Sequence, residues 1–156
     1  MTTGTRMTWV LDACGWATCT IEDHQAKAEL SASYITNAPE DLLTAVARLF
    51  YGEAETRAQF EAEPTAYRWI FQRQADDVRV RLLELRHGRD HDNDGTEIWS
   101  GRLGIDALAR AVIRCFDEVD RTYGESGYQG EWGDHFPRSE LEALRRLWRA
   151  HRPGDA

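Results

Sequence analysis

The sequence predicts an α+β fold, in which an antiparallel sheet of about five to six strands carries two to three amphipathic helices on one face. Several segments between positions 16 and 103 alternate apolar with polar residues, and short polar turns separate them. Other segments repeat apolar residues at helical spacing. Strands joined by short turns pair antiparallel, and amphipathic helices need an apolar sheet face to cover. These observations predict a two-layer sandwich of helices on a sheet.

The first predicted elements are a hairpin and a helix. Two alternating segments lie within 16–35, and the polar break at 22–24 between them predicts a hairpin. Its expected inward positions are Ala17, Cys19, Ile21, Ala28, Leu30, Ala32 and Tyr34. Asn37 then offers a helix cap and Pro39 suits a first turn, so the apolar stripe that follows predicts a helix ending near Gly52.

Strands and helices are also expected in the rest of the chain. Alternating residues predict strands over 57–63, 67–72 and 78–85, and a further strand over 97–103. An apolar stripe after position 104 predicts a second helix that ends near Gly124, and a last helix begins near Pro137. The segment 123–136 between these helices contains four glycines and is expected to be a loop.

Length and composition favour one domain in the cytoplasm. A chain of 156 residues with 42% apolar residues can bury its own core, so 1–152 is expected to form a single domain, with a short flexible tail at 153–156. No stretch approaches the roughly 20 apolar residues of a membrane helix, and Asp12 interrupts the N-terminal apolar stretch. Cys14, Cys19 and Cys115 fit neither a zinc site nor a redox pair, so we expect reduced thiols.

Charge restricts the class of partner. The formal net charge of −8 disfavours nonspecific attraction to nucleic acid or to anionic membrane, because both depend on accumulated lysine and arginine. We therefore expect neither as a partner and favour another protein, a basic one in particular. The sequence does not determine the oligomeric state.

The sharpest motif is an acidic run that resembles the start of a calcium loop. Asp90, Asp92 and Asp94 alternate and Gly95 follows, as in an EF-hand, but the final bidentate glutamate is replaced by Gly101. The flanking segments are predicted strands rather than helices. We expect no metal at these aspartates under cellular conditions, or weak calcium binding of about millimolar affinity. No cofactor is expected.

Two interpretations of 123–136 remain open from the sequence. In one, Tyr128, Trp132 and Phe136 pin the segment onto the core. In the other, Tyr128 and Trp132 are aromatic anchors for a partner, with Glu131, Asp134 and His135 beside them. Asp134 and His135 are also residue types that transfer protons at neutral pH.

Three short runs resemble a set of small uncharacterised single-domain proteins of high-GC bacteria, a group that implies no activity. These runs are Ala32-Ser33-Tyr34, Glu63-Pro64-x-x-Tyr67-Arg68-Trp69 and Phe136-Pro137-x-x-x-Leu141. In size, acidity and predicted fold class, the chain is also loosely similar to immunity proteins of bacterial toxin systems.

Two functions follow as expectations. The first is a non-enzymatic protein-binding domain, of the immunity or accessory type, that recognises another protein through an acidic and aromatic surface. No nucleophile elbow, phosphate-binding loop, dinucleotide fingerprint or zinc-protease helix is present in the sequence, which favours this function over an enzyme. The alternative is a small enzyme or ligand-binding domain whose pocket, between the sheet and the C-terminal helices, is lined by Tyr67, Trp69, Tyr128 and His135.

Overall fold

The computed structural model describes residues 4–151, which form seven strands, three α-helices and one short 3₁₀ turn. The strands are β1 (Arg6–Ala13), β2 (Trp16–Glu22), β3 (Lys27–Ser33), β4 (Glu55–Glu61), β5 (Ala66–Gln74), β6 (Asp77–Leu85) and β7 (Thr96–Gly104). The helices are α1 (Ala38–Phe50), α2 (Ile105–Trp132) and α3 (Arg138–His151), and the 3₁₀ turn is Asp92–Asp94. The predicted tail at 153–156 lies outside the described residues.

The predicted α+β class and antiparallel pairing are confirmed, with the strands divided between two sheets. The first sheet has the order β1-β2-β3 and the second the order β4-β5-β6-β7, and every neighbouring pair is antiparallel. Strand β1 was not predicted from the sequence. The inward side chains of this strand are buried Met7, Trp9 and Leu11. The outward residue Val10 is also apolar, so apolar and polar residues do not alternate regularly along the strand.

One aromatic core joins both sheets to α2. The ring of Trp9 in the first sheet lies 5.8 Å from Phe60 in the second, 5.8 Å from Phe116 and 5.3 Å from Trp132. A second, smaller group of buried residues, comprising Ala66, Ile70, Leu83 and Leu85, lies apart from this core. The approach of Gly95 to Leu83 and Leu85 shows that the β6–β7 connection covers that group.

The expected loop at 123–136 is mostly helical, which corrects the sequence prediction. Gly124 has φ 69° and ψ 167° and kinks α2, but the helix continues to Trp132 and ends at Gly133 with φ 100°. Tyr128 and Trp132 are four residues apart, so they share one helix face, and both are buried. Burial of this face in the core outweighs the low helix propensity of the glycines.

The end of the first hairpin also differs from its prediction. The strand β3 stops at the buried Ser33, and Tyr34, which was expected to face inward, is 58% exposed. The alternation in β3 therefore holds through Ala32 and ends one residue later, where the chain turns toward α1. Among the described residues, no helix is long and apolar enough to cross a bilayer.

Candidate functional site

A cleft of about 490 Å³ lies where the first turns of α1 and α3 meet the α2–α3 connection. Four carboxylate residues line it, and we call it the acidic cleft; they are Glu40, Asp41, Asp134 and Glu140. His135 also lines the cleft. Three separate segments therefore bring their acidic side chains to one place.

Local structure explains the position of each acid within its own segment. Glu40 and Asp41 lie in the first turn of α1, and Glu140 lies in the first turn of α3. Helix N-termini carry partial positive charge, which favours carboxylates at these positions. Between the helices, the left-handed turn at Gly133 redirects the chain, and Asp134 Oδ1 accepts a hydrogen bond of 2.7 Å from the His135 backbone.

Arg48, Arg57 and Arg138 also line the cleft, but in the described part of the chain none of them forms an ion pair with its four carboxylates. Arg48 pairs with Glu53 at 2.6 Å, and Arg138 pairs with Asp120 at 2.6 Å. Arg57 likewise forms an ion pair with Asp92, at 2.8 Å. Within residues 4–151, by contrast, none of the four cleft carboxylates takes part in an ion pair. The cleft is consequently a concentration of unpaired negative charge.

Glu40 is the most constrained of these acids. Its Oε1 is buried and has no hydrogen-bond partner in the described part of the chain. Burial raises the pKa of the Glu40 carboxyl. A backbone hydrogen bond partly offsets this rise, and repulsion from Glu140, Asp134 and Asp41 adds to it. The protein thus holds a carboxylate in a place that disfavours its charge.

The hydroxyl of Tyr128 is close to the same acids. It is buried without a hydrogen-bond partner among residues 4–151. Burial raises the pKa of Tyr128 well above its usual value, and the negative charges of Glu40 and Asp134 add to this effect. Two buried polar atoms, one from α1 and one from α2, are therefore left unsatisfied beside the cleft.

Burial changes the roles expected for the aromatic candidates. Tyr128 and Trp132 are 0% and 2% exposed, so they pack in the core and do not present contact surface to a partner. Trp69 is fully buried between Phe60 and Phe71, with ring centroids 6.0 and 6.1 Å away. The burial of Tyr128 and Trp132 agrees with the interpretation in which aromatic side chains of 123–136 pack against the core.

The structure does not bring all the expected pocket residues together. Tyr67, on β5, is buried and donates a hydrogen bond of 3.3 Å to Glu84 of β6. Neither Tyr67 nor Trp69 lines the cleft beside His135. Glu131, Asp134 and His135, by contrast, are exposed at the surface around the C-terminal end of α2. Of the seven partner- or ligand-binding candidates, these three are available for surface contact.

Several residues in and beside the acidic cleft were not predicted from the sequence. Glu40, Asp41 and Glu140 were not among the candidate site residues. Tyr34 and Ile35, both exposed, precede α1. Two consecutive apolar residues break a period of two, and this is the signal that would have placed one of them outside the hairpin.

The acidic run at 90–95 is held by arginines. Asp92 Oδ1 accepts hydrogen bonds from Arg57 and Arg68, each at 2.9 Å, and the Arg57 contact is the main reason that the pKa of Asp92 is lowered. Asp90 lies 3.1 Å from His87 instead, and Asp94 is exposed. Across the described residues, no three histidine, cysteine or acidic side chains converge on a metal position.

No protein-family model matches the chain, and no curated protein matches it in sequence. One solved structure, the CdiA-CT/CdiI toxin and immunity complex from Enterobacter cloacae, contains a chain similar to this one, with a TM-score of 0.48 and 11% identity. The alignment covers 71% of this chain and 97% of that chain. At these values the similarity establishes neither a shared fold nor a shared function.

Proposed function

We propose that the chain is a non-enzymatic protein-binding domain that recognises a basic protein through the acidic cleft, as an immunity or accessory factor would. The observation that carries the proposal is the group of four unpaired carboxylates, among which Glu40 has a buried oxygen without a partner. A guanidinium or ammonium group from a partner would complete this arrangement, because charge-assisted hydrogen bonds to carboxylates are the strong ones.

The energetics support a binding role. Carboxylates that repel one another and are partly buried lower the stability of the folded protein, and such costs are typical of functional sites. A cationic side chain would relieve the repulsion and satisfy the buried oxygen of Glu40 at the same time. Electrostatic complementarity would also speed association and disfavour acidic partners.

The same cleft offers weak support for catalysis. A nucleophile must be hydrogen-bonded to its base, and the base to a third group that orients it. Ser139, His135 and Asp134 all line the cleft, but within residues 4–151 no hydrogen bond joins the imidazole ring to either neighbour. The hydrogen bond that the structure shows between Asp134 and His135 is donated by the backbone amide of His135 and not by its ring. The arrangement therefore suits recognition better than group transfer.

Capture from a lysate of the producing organism tests the proposal. The immobilised wild-type protein should retain a specific basic protein, and Glu40→Gln should retain at least tenfold less, a loss of about 1.4 kcal/mol or more. Glu29→Gln is the matched control, because Glu29 is exposed on β3 and the variant removes the same charge. Equal recovery of the partner by Glu40→Gln and wild type would contradict the proposal.

A small cationic ligand is the second candidate, and the volume of the cleft beside His135 supports it. Free arginine and simple amines distinguish the two functions. If the cleft serves a small molecule, one of these compounds should raise the melting temperature of the wild type at micromolar concentration and have no such effect on Glu40→Gln. For a protein-binding domain we expect no effect below millimolar concentration.

A further inference from the structure

Two large apolar side chains lie exposed next to each other on the connection between β3 and α1. Tyr34 is 58% exposed and Ile35 is 57% exposed. We call this pair the apolar pair. Adjacent exposed aromatic and aliphatic side chains gain free energy when a partner covers them, so they are characteristic of the centre of an interface.

The backbone holds the apolar pair in a fixed position. The Tyr34 amide donates to the Gly15 carbonyl at 2.9 Å, and the Gly15 amide donates to the Glu131 carbonyl at 2.9 Å. The ring of Tyr34 also covers Gly15, where an added Cβ would lie 2.5 Å from Tyr34 Cδ1. The β1–β2 turn, the β3–α1 connection and the end of α2 are thereby joined beneath the ring. A partner would meet a preorganised surface, which reduces the entropic cost of binding.

The apolar pair is continuous with the acidic cleft. A Cβ added at Gly133 would lie 4.0 Å from the ring of Tyr34, and the next residue, Asp134, lines the cleft. On the other side, Asn37 lines the cleft only two positions after Ile35. Glu131, whose backbone carbonyl accepts the hydrogen bond from Gly15, is exposed as well. An apolar contact and an unpaired acidic group therefore lie side by side.

We infer that the apolar pair and the acidic cleft form one docking surface, and that it receives a segment of a basic protein in which an apolar side chain adjoins an arginine or lysine. The cation enters the cleft while the apolar side chain packs on Tyr34 and Ile35. This inference rests on the proposed function, since it names the chemistry of the same partner. A second copy of the chain fits less well, because its own Glu131 and Asp134 would approach the same carboxylates.

Two labelled peptides test the inference by fluorescence anisotropy at low ionic strength. One alternates arginine with leucine, and the other carries serine in place of each leucine, so their charges are identical. The wild type should bind the leucine peptide about tenfold more tightly, as expected when one leucine side chain is buried. Tyr34→Ser combined with Ile35→Ser should remove this preference. Tyr51→Ser should keep it, because Tyr51 is 74% exposed at the opposite end of α1.

The outcomes separate this inference from the proposed function. If the wild type binds both peptides equally and Glu40→Gln weakens both, the apolar pair is not an anchor while the acidic cleft still binds cations. If neither peptide binds, the proposed function itself fails. Sedimentation of the wild type as a dimer that the double serine variant dissociates would assign the apolar pair to self-association and overturn the inference. Far-ultraviolet circular dichroism establishes that each variant is folded.

Discussion

At the scale of single residues, Glu40 connects stability with recognition. Its carboxyl lies among other acids, one of its oxygens has no partner in the described protein, and its pKa is raised above the usual value. A carboxyl whose folded pKa exceeds its unfolded pKa destabilises the folded state when it is ionised. This penalty is present at neutral pH and decreases as the pH falls through the raised pKa.

Replacing the charge should therefore stabilise the protein. We expect Glu40→Gln to increase the free energy of unfolding at pH 7 by about 0.5 to 1 kcal/mol, within the range for partly exposed charges. The gain should shrink as the pH is lowered toward 4, because the wild-type carboxyl then becomes neutral as well. Urea unfolding of both proteins across this range measures the difference. A variant that is less stable than wild type at every pH would show that the charge of Glu40 has a stabilising partner.

Trp132 has a structural role at this scale. It is buried between Trp9 and Tyr128, with ring centroids 5.3 and 6.4 Å away. We expect Trp132→Ala to lower the free energy of unfolding by about 3 to 5 kcal/mol, the usual cost of removing a buried tryptophan. Urea unfolding measures this loss, with Tyr51→Ser as an exposed control. A change below about 1 kcal/mol would mean that Trp132 is not part of the core.

At the scale of elements, the kink in α2 brings both halves of the helix onto the core. Gly124 has φ 69° and ψ 167°, a conformation that only glycine adopts readily. The residues before the kink include Phe116 and Val119, and those after it include Tyr128 and Trp132, all of them buried. The kink also determines where α2 ends, and hence where Asp134 and His135 reach the acidic cleft.

Two glycine substitutions test this role of the kink. Gly124→Ala should destabilise the protein by about 1 to 3 kcal/mol, because the backbone conformation is strained for any side chain, although nothing lies within 4 Å of the added Cβ. Gly130→Ala should instead stabilise it by up to about 1 kcal/mol, because Gly130 lies in the exposed helical part of α2. Thermal unfolding of the two variants should shift in opposite directions. A stabilised Gly124→Ala would indicate a straight helix.

Hydrogen bonds from arginine side chains fix the connection between β6 and β7. Arg68 donates to the carbonyls of Gly88 and Asp90 as well as to Asp92. The Asp92 carboxylate is therefore already paired. A calcium ion would have to displace two guanidinium groups to reach it.

Calcium binding should accordingly be weak. We expect calorimetric titration of the wild type to give a dissociation constant of about a millimolar or weaker, the range of poorly organised sites. Arg57→Met should strengthen binding modestly, because one competing cation is removed from Asp92. A micromolar affinity that disappears in Asp92→Asn would contradict this explanation.

At the scale of the whole molecule, local patterns predicted the elements better than they predicted the surface. The hairpin of β2 and β3 was predictable because its apolar residues alternate, and α1 because of its apolar stripe. The helical course of 125–132 was not predictable from the sequence, because it depends on the packing of Trp132 against Trp9, which is distant in the sequence, and of Tyr128 against Phe136. Burial of these aromatic side chains therefore determined the helical conformation of 125–132.

The candidate site was only partly predictable for the same reason. Asp134, His135 and Glu131 were singled out because an unusual sequence surrounds them. Glu40 and Glu140 look like ordinary helix-start acids when each is considered alone. Only the fold brings residues 40, 134 and 140 to one cleft, and no spacing in the sequence records that proximity.

The most direct test of the central claim is to map where a cationic probe binds. Hexa-arginine titrated into the isotopically labelled protein should shift backbone amide resonances within 37–41 and 131–140, and these shifts should weaken steeply as salt is added. Glu40→Gln should reduce them, whereas Glu29→Gln should leave them unchanged. Shifts spread evenly over the acidic surface, or centred away from the acidic cleft, would contradict the claim that this cleft is the recognition site.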